Sequence, residues 1–131
     1  MASATPTPVV YVVDDDTDVL GSLQFLLETD GFDVHTFRSG AALLNRKITG
    51  KVDCFVLDYK MPAMNGIVLA SRLRNYHVGT PIILITGSPD ENIQEEAAAA
   101  GIRYVLLKPH LEENLVSRIR GVIQEGSSDG R

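Results

Sequence analysis

The sequence predicts an α/β protein in which five strand–helix units build one doubly wound parallel sheet, with helices on both of its faces. Five short apolar runs of strand length alternate with segments whose apolar residues recur at helical spacing. The runs are apolar nearly throughout, as in parallel strands that are covered on both sides. Right-handed crossovers between consecutive parallel strands then distribute the helices over the two faces.

The predicted strands follow these apolar runs. The second run is the least apolar and completes the set of five. In chain order the runs are PVVYVV (8–13), FDVHTF (32–37), DCFVL (53–57), PIILI (81–85) and RYVLL (103–107).

A helix is predicted after each strand. The first helix is expected to end near Gly31, and the second to begin after Ser39. Each helix is marked by apolar side chains that share one face: Val19, Leu20, Leu23 and Leu27; Leu43, Leu44 and Ile48; Val68, Leu69 and Leu73; and, in the fifth, Leu111, Leu115, Ile119, Val122 and Ile123.

The fourth helix is predicted from its end signals. Ser88 is expected as the N-cap, Pro89 as the first helical residue and Glu91 as the glutamate of a capping box. Gly101 is expected to stop the helix at its carboxyl end.

Length, charge and composition exclude several classes of function. A chain of 131 residues suits one domain with a sizeable core. The net charge of −5, with no local cluster of Lys and Arg, argues against a nucleic-acid partner. The single cysteine and the absence of a secretion signal in MASATPTP suit the cytoplasm. No apolar run approaches the roughly 20 residues that span a bilayer, so no membrane partner is predicted.

Polar side chains collect where the predicted strands end. Asp14 and Asp15 follow the first strand, Asp58 the third, Thr86 the fourth and Lys108 the fifth. Ligands of an open parallel sheet bind beyond the carboxyl ends of its strands, so these side chains are expected to converge there. Clustered carboxylates need a cation, and Mg²⁺ (or Mn²⁺) suits oxygen ligands. The set favours a phosphoryl-transfer site with an aspartate nucleophile.

Four motifs, VVDDD, LDYKMPAMNG, ILITG and LLKP, resemble those of the receiver domain of bacterial two-component response regulators. The similarity extends from about Val9 to Glu125, with the motifs in the family's order. The resemblance implies the family's sheet order, 2-1-3-4-5. It also implies a phosphoacceptor that switches partner binding or relays the phosphoryl group, and that is not a turnover enzyme.

The resemblance also assigns roles to the acidic residues. Asp58 is expected to accept the phosphoryl group from the phosphohistidine of a sensor histidine kinase or a histidine phosphotransfer protein. Asp15 is expected to bind the metal directly, and Asp14 mainly through the metal's waters. Asp58 itself and the backbone carbonyl of Lys60 are the other expected protein ligands.

The remaining motif residues are expected to bind or accommodate the phosphoryl group. By resemblance, Thr86 binds a phosphoryl oxygen, Gly87 leaves room for the group, and Lys108 pairs with it. Asp16 is predicted to cap the first helix, with a minor electrostatic role as the alternative. Gly66 is expected to give backbone freedom to the loop over the site.

One position departs from the family's pattern. Receiver domains usually carry an aromatic residue three positions before the lysine, where this chain has Val105. Tyr104 is next to it, but strand alternation predicts that its side chain lies on the opposite face of the sheet. Output is therefore expected to travel mainly through residues 86–91 and the fourth helix.

The predicted organisation is a disordered N-terminal extension (1–7), a receiver domain (8–125) and a flexible tail (126–131). A downstream protein target is expected, and a homodimer could form through helix four, strand five and helix five. One alternative is a receiver-fold interaction module that is not phosphorylated. A more distant one is a haloacid-dehalogenase-like phosphatase with Asp14 as nucleophile, although that pattern needs Thr or Val where Asp18 stands, and it leaves Asp58 unexplained.

Overall fold

Strands and helices alternate along the whole described chain. The computed structural model describes residues 7–46, 50–76, 78–87, 90–108 and 114–129, with side chains up to residue 124. The elements are β1 (Val9–Val13), α1 (Thr17–Thr29), β2 (Asp33–Phe37), α2 (Gly40–Asn45), β3 (Cys54–Asp58), α3 (Gly66–Asn75), β4 (Ile82–Thr86), α4 (Glu91–Ala99), β5 (Tyr104–Leu107) and α5 (Leu115–Asp129).

The strands form one parallel sheet in the order β2-β1-β3-β4-β5. The predicted fold class and the strand order implied by the resemblance are therefore confirmed. Every strand limit lies within one residue of its predicted position. All residues of β3 and β4 are buried, as expected for strands that are covered on both faces.

Alternate residues of the strands face two separate apolar cores. Tyr11, Val13, Phe55 and Leu57 pack on the side of α2, α3 and α4. Val10, Val12, Cys54 and Val56 pack on the side of α1 and α5. The described apolar residues of the predicted helical faces are buried or half-buried, with Val68 the exception. Ile48 and Leu111, also predicted for these faces, lie outside the described residues.

Short polar side chains define where the helices begin. Asp16 caps α1 and Ser39 caps α2, as predicted. The prediction for the fourth helix is wrong: α4 begins at Glu91 and its N-cap is Asp90, whose carboxylate accepts a hydrogen bond from the Asn92 amide at 2.9 Å. Aspartate caps a helix as well as serine does, and Asp90 stands two residues after Ser88, so a capping residue in the sequence does not by itself fix the start of the helix. Ser88 and Pro89 themselves lie outside the described residues.

The helices α1 and α4 end just before the glycines predicted to stop them. Gly31 has φ 96° and Gly101 has φ 81°, a backbone conformation that suits glycine beyond a helix end. α5 runs to Asp129, into the stretch predicted as a tail. The domain limits at residues 8 and 125 stay predictions. None of the helices in the described stretches is both long and apolar enough to cross a membrane.

Candidate functional site

Three carboxylates meet at the carboxyl edge of the sheet. The strand register pairs Val13 with Leu57, so Asp14 and Asp58 lie side by side just beyond that pair. Carboxylate oxygens of Asp14, Asp15 and Asp58 lie within 4.8 Å of one another. Asp14 is 0% exposed and Asp58 4%, whereas Asp15 is exposed. The fold thus brings together the acidic residues that the sequence placed at two different strand ends.

Lys108 adds one positive charge to this cluster. Its ammonium nitrogen lies 3.0 Å from Oδ1 of Asp58 and 3.6 Å from Oδ2 of Asp14. Its backbone amide donates to the carbonyl of Thr86 at 2.9 Å, which joins the ends of β4 and β5. Thr86 is buried at the last position of β4. All five polar residues predicted for this edge are therefore close together.

The buried carboxyl groups have shifted pKa values. Burial raises the pKa of Asp14 and of Asp58 above the usual 3.8, because a charged group loses hydration there, and the hydrogen bonds and charge of their neighbours offset this only partly. Burial lowers the pKa of Lys108, but the hydrogen bond to Asp58 and the negative charges of Asp14 and Asp58 outweigh it, so the net shift is upward from 10.5. Lys108 is therefore protonated and positively charged at neutral pH.

The charges of the cluster are unbalanced. Three carboxylates against one ammonium give a net charge of −2 when all four groups are ionised. Like charges at about 4 Å repel by roughly 4 kcal/mol at an intermediate effective dielectric. A divalent cation would cancel the excess, whereas a second lysine would cancel half of it.

One carboxylate oxygen of the cluster has no hydrogen bond. Oδ2 of Asp14 is buried and accepts no hydrogen bond from the described residues, while Oδ1 accepts one from the Asp16 amide at 2.9 Å. At 3.6 Å the Lys108 ammonium attracts Oδ2 but is too far away for a hydrogen bond. A buried polar atom without a partner costs about 1–3 kcal/mol. Together with the net charge, this oxygen makes the site fit an oxygen-seeking divalent metal such as Mg²⁺.

Comparison with known proteins identifies the family. Residues 10–120 match the family model described as response regulator receiver domain. The chain belongs to this family. Its relatives are response regulators of two-component systems, so the chain is a signalling receiver domain.

Individual relatives agree with this assignment. The transcriptional regulatory protein PrrA of Mycobacterium tuberculosis is 31% identical over 98% of this chain and 55% of its own length. The response regulator protein TodT of Pseudomonas putida is 34% identical over 88% of this chain and 51% of its own length. This receiver domain thus spans about half the length of the curated relatives it matches. A solved CheY-like receiver domain from Methanospirillum hungatei has the same fold, with a TM-score of 0.89 over 95% of this chain and 100% of its own, at 24% identity.

The loop from β3 to α3 contains Lys60, two residues after Asp58. The Tyr59 amide donates to the carbonyl of Ile85, and the Tyr59 carbonyl accepts from the Gly66 amide at 2.9 Å. Between these bonds, a γ-turn with φ 67° at Ala63 tightens the chain. The Lys60 side chain is exposed. The role of its carbonyl as a metal ligand stays a prediction.

Gly66 is required for a different reason from the one the sequence suggested. Its φ is not positive, so it does not supply unusual backbone freedom. A Cβ atom at this position would lie 2.5 Å from the carbonyl oxygen of Asp58 and 2.6 Å from Cδ1 of Leu84. The start of α3 therefore approaches the end of β3 more closely than any side chain allows, beside the predicted phosphoacceptor.

Val105 occupies the position of the family's usual aromatic residue. Its neighbour Tyr104 lies on the opposite side of the sheet. Val105 packs toward the core shared with α3 and α4. Tyr104 packs toward the α1 and α5 side, with the guanidinium of Arg118 4.8 Å from its ring centre. The predicted orientation of Tyr104 is confirmed.

Sequence reasoning missed one contact of the site. Asp16 was predicted as a helix cap, with a minor electrostatic role as the alternative, but the hydrogen bond from its backbone amide to the Asp14 carboxylate was not predicted. The available signal was an aspartate two residues before the predicted N-cap, since aspartate side chains commonly bind the amide two residues on.

Proposed function

We propose that this receiver domain is the phosphoacceptor of a two-component system in the cytoplasm. Asp58 accepts a phosphoryl group from a histidine kinase or a histidine phosphotransfer protein. Mg²⁺ or Mn²⁺ supports the reaction, with Asp14, Asp15, Asp58 and the Lys60 carbonyl as the metal-binding groups. The domain then switches binding of a protein target or relays the phosphoryl group onward. It is not a turnover enzyme, since each phosphoryl group stays on Asp58 of the domain itself until it is relayed or hydrolysed.

The observation that carries this proposal is the position of Asp58 between a cation and two other carboxylates. The Lys108 ammonium at 3.0 Å offsets the repulsion between Asp58 and an anionic phosphoryl donor. An oxygen of Asp58 attacks phosphorus, so that a P–O bond forms while the P–N bond to the donor imidazole breaks. The imidazole keeps the electron pair of that bond and takes a proton from water. Water later attacks the phosphorus and releases inorganic phosphate, which regenerates the carboxylate.

The proposed metal suits this donor set. The Oδ2 atom of Asp14, which accepts no hydrogen bond from the described residues, and the net negative charge of the cluster both favour binding of a divalent cation. When bound, Mg²⁺ neutralises the carboxylates and offers positive charge to the oxygens of the transferring group. Asp14 and Asp15 would bind the metal through their carboxylates. Lys108 would balance the negative charge that the metal leaves uncancelled.

Output is proposed to leave the site mainly through residues 86–91 and α4, starting from the joined ends of β4 and β5. Thr86 lies at the end of β4 and its carbonyl is bound by the Lys108 amide, so a shift at either residue moves both strand ends. The surface formed by α4, β5 and α5 is the proposed contact for the target or for a second copy. Leu107, exposed at the end of β5, supplies an apolar residue to that surface.

Acetyl phosphate with Mg²⁺ tests the phosphoacceptor role. Intact-mass measurement is expected to show one phosphoryl group per chain in the wild type and none in Asp58→Asn. Asp18→Asn serves as the matched control, because Asp18 is an exposed aspartate in the first turn of α1 and lies outside the cluster. It is expected to be modified like the wild type.

The same experiment separates the alternatives. A phosphatase that uses Asp14 would release many phosphates per chain and would survive Asp58→Asn. An interaction module that is not phosphorylated would gain no mass in any variant. A single modification that survives Asp58→Asn would place the phosphoacceptor elsewhere and would contradict the proposal.

A further inference from the structure

The turn between β1 and α1 contains three consecutive aspartates, of which Asp16 makes contacts in two directions. Its carboxylate Oδ1 accepts hydrogen bonds from the amides of Asp18 at 2.9 Å and Val19 at 3.3 Å, which caps α1. Its backbone amide donates to Oδ1 of Asp14 at 2.9 Å. One residue thus joins the start of the helix to a carboxylate of the acidic cluster.

This arrangement determines which oxygen Asp14 presents to the cluster. The backbone of Asp14 is held by a hydrogen bond from its amide to the carbonyl of Phe37 at 3.1 Å. The Asp16 amide then engages Oδ1, so Oδ2 is left facing Lys108 without a hydrogen-bond donor. A carboxylate that is tethered through one oxygen loses the rotation that would exchange the two.

The carboxylate of Asp16 itself points away from the cluster. Asp16 is exposed, and its bonded oxygen is directed at the first-turn amides of α1. The metal-binding group of the described residues consists of Asp14, Asp15 and Asp58 and does not include Asp16. The side chain is therefore placed to hold its own backbone, and its charge is a separate, longer-range effect.

We propose that Asp16 is a positioning residue of the metal site, which acts through its cap and its amide rather than through its charge. The cap holds Asp16 in the extended conformation, with φ −89° and ψ 113°, and so keeps its amide on Asp14. The inference rests on the proposed metal site. It explains the run of three aspartates as two carboxylates toward the metal and a third that fixes one of them.

Mg²⁺ affinity of the unphosphorylated protein, measured by calorimetry, tests this role. Asp16→Ala removes the cap and is expected to weaken Mg²⁺ binding about fivefold, the ratio that corresponds to a typical loss of an N-cap. Asp16→Asn removes the charge but keeps an equally good cap, and is expected to bind within about twofold of the wild type. The conservative variant thus rescues affinity only if position, and not charge, is what matters.

Two control variants separate this effect from general destabilisation and from charge. Ser39→Ala removes the N-cap of α2, where the Ser39 hydroxyl accepts from the Ala42 amide at 3.0 Å, and leaves the acidic cluster untouched. It is expected to lower the thermal midpoint as Asp16→Ala does, without changing Mg²⁺ affinity. Asp18→Asn removes a neighbouring exposed charge and is expected to leave the affinity unchanged.

The outcomes are distinguishable. If Asp16→Ala binds as tightly as the wild type, or if Asp16→Asn is as weak as Asp16→Ala, the positioning role is overturned while the metal site stands. If the wild type binds no Mg²⁺ at all, the metal site fails and the positioning role falls with it. Weak binding by Asp16→Ala together with near-normal binding by Asp16→Asn supports the inference.

Discussion

Replacing Gly66 by alanine has two opposite effects on stability at the start of α3: a gain in helix propensity and a steric clash. The backbone of Gly66 is helical and its φ is not positive, so alanine meets no torsional penalty there. Helix propensity alone would favour alanine by up to about 1 kcal/mol. The new Cβ atom, however, would lie 2.5 Å from the carbonyl oxygen of Asp58, which is backbone and cannot rotate away.

The steric effect is expected to exceed the gain in propensity. The second contact, at 2.6 Å from Cδ1 of the buried Leu84, allows no movement away from Asp58. Overpacking of this kind costs about 1–3 kcal/mol and requires shifts of the backbone. We therefore expect Gly66→Ala to lower the free energy of unfolding by up to about 2 kcal/mol, after a gain of about 1 kcal/mol in propensity is subtracted.

Urea unfolding, followed by circular dichroism, measures this difference. Gly21→Ala is the matched control, because Gly21 lies inside α1 and a Cβ atom there meets nothing within 4 Å. It is expected to raise the free energy of unfolding by about 0.5–1 kcal/mol. If Gly66→Ala proves as stabilising as Gly21→Ala, the close approach of α3 to Asp58 is refuted.

Three further predictions concern the carboxylates, a guanidinium and a strained turn. In metal-free protein, the raised pKa values of Asp14 and Asp58 mean that the folded state holds protons that the unfolded chain has lost, so their contribution to stability falls as the pH rises from 3.8 through the folded pKa values. Asp14→Asn should therefore raise the thermal midpoint at neutral pH, and a lower midpoint would contradict this. Arg74 donates to three backbone carbonyls, so Arg74→Lys should cost about 2 kcal/mol in urea unfolding, whereas the exposed control Arg72→Lys should be neutral. Ala63→Gly should stabilise by about 1 kcal/mol, because alanine at φ 67° is strained, and an unchanged urea midpoint would argue against that strain.

The sheet could be predicted from sequence because each strand is a short run of mostly apolar residues. Runs such as PIILI are apolar at every position, and only strands covered on both faces need this. β3 and β4 end one residue later than predicted, at Asp58 and Thr86, because strand pairing continues to the first polar residue. The change from apolar to polar in a sequence marks the end of burial and not the end of the backbone ladder.

The acidic cluster could be predicted because parallel strands end at one edge. The separation of Asp58 from Lys108 in the chain is irrelevant once both follow strands of the same sheet. The prediction of Ser88 as the cap of α4 was wrong because Asp90 caps equally well and the start of a helix depends on backbone geometry.

Two details that orient the site were not predicted, and one of them is local whereas the other is tertiary. The orphaned oxygen of Asp14 depends on which oxygen the Asp16 amide engages. The requirement for glycine at position 66 depends on the distance between α3 and the end of β3. The first is a local contact for which the spacing of the two aspartates was the one signal, and the second follows from packing between elements, which periodicity and end signals do not encode.

The central claim is that carboxylates from the ends of β1 and β3 share a divalent ion that makes Asp58 reactive toward phosphorus. Crystals grown with Mg²⁺ and beryllofluoride, a stable mimic of the phosphoryl group, test it most directly. We expect metal density bound to Asp14, Asp15 and Asp58, with the beryllium of the mimic bonded to an oxygen of Asp58 and one of its fluorides in contact with Lys108. Density for neither group, with the three carboxylates turned apart toward solvent, would contradict it.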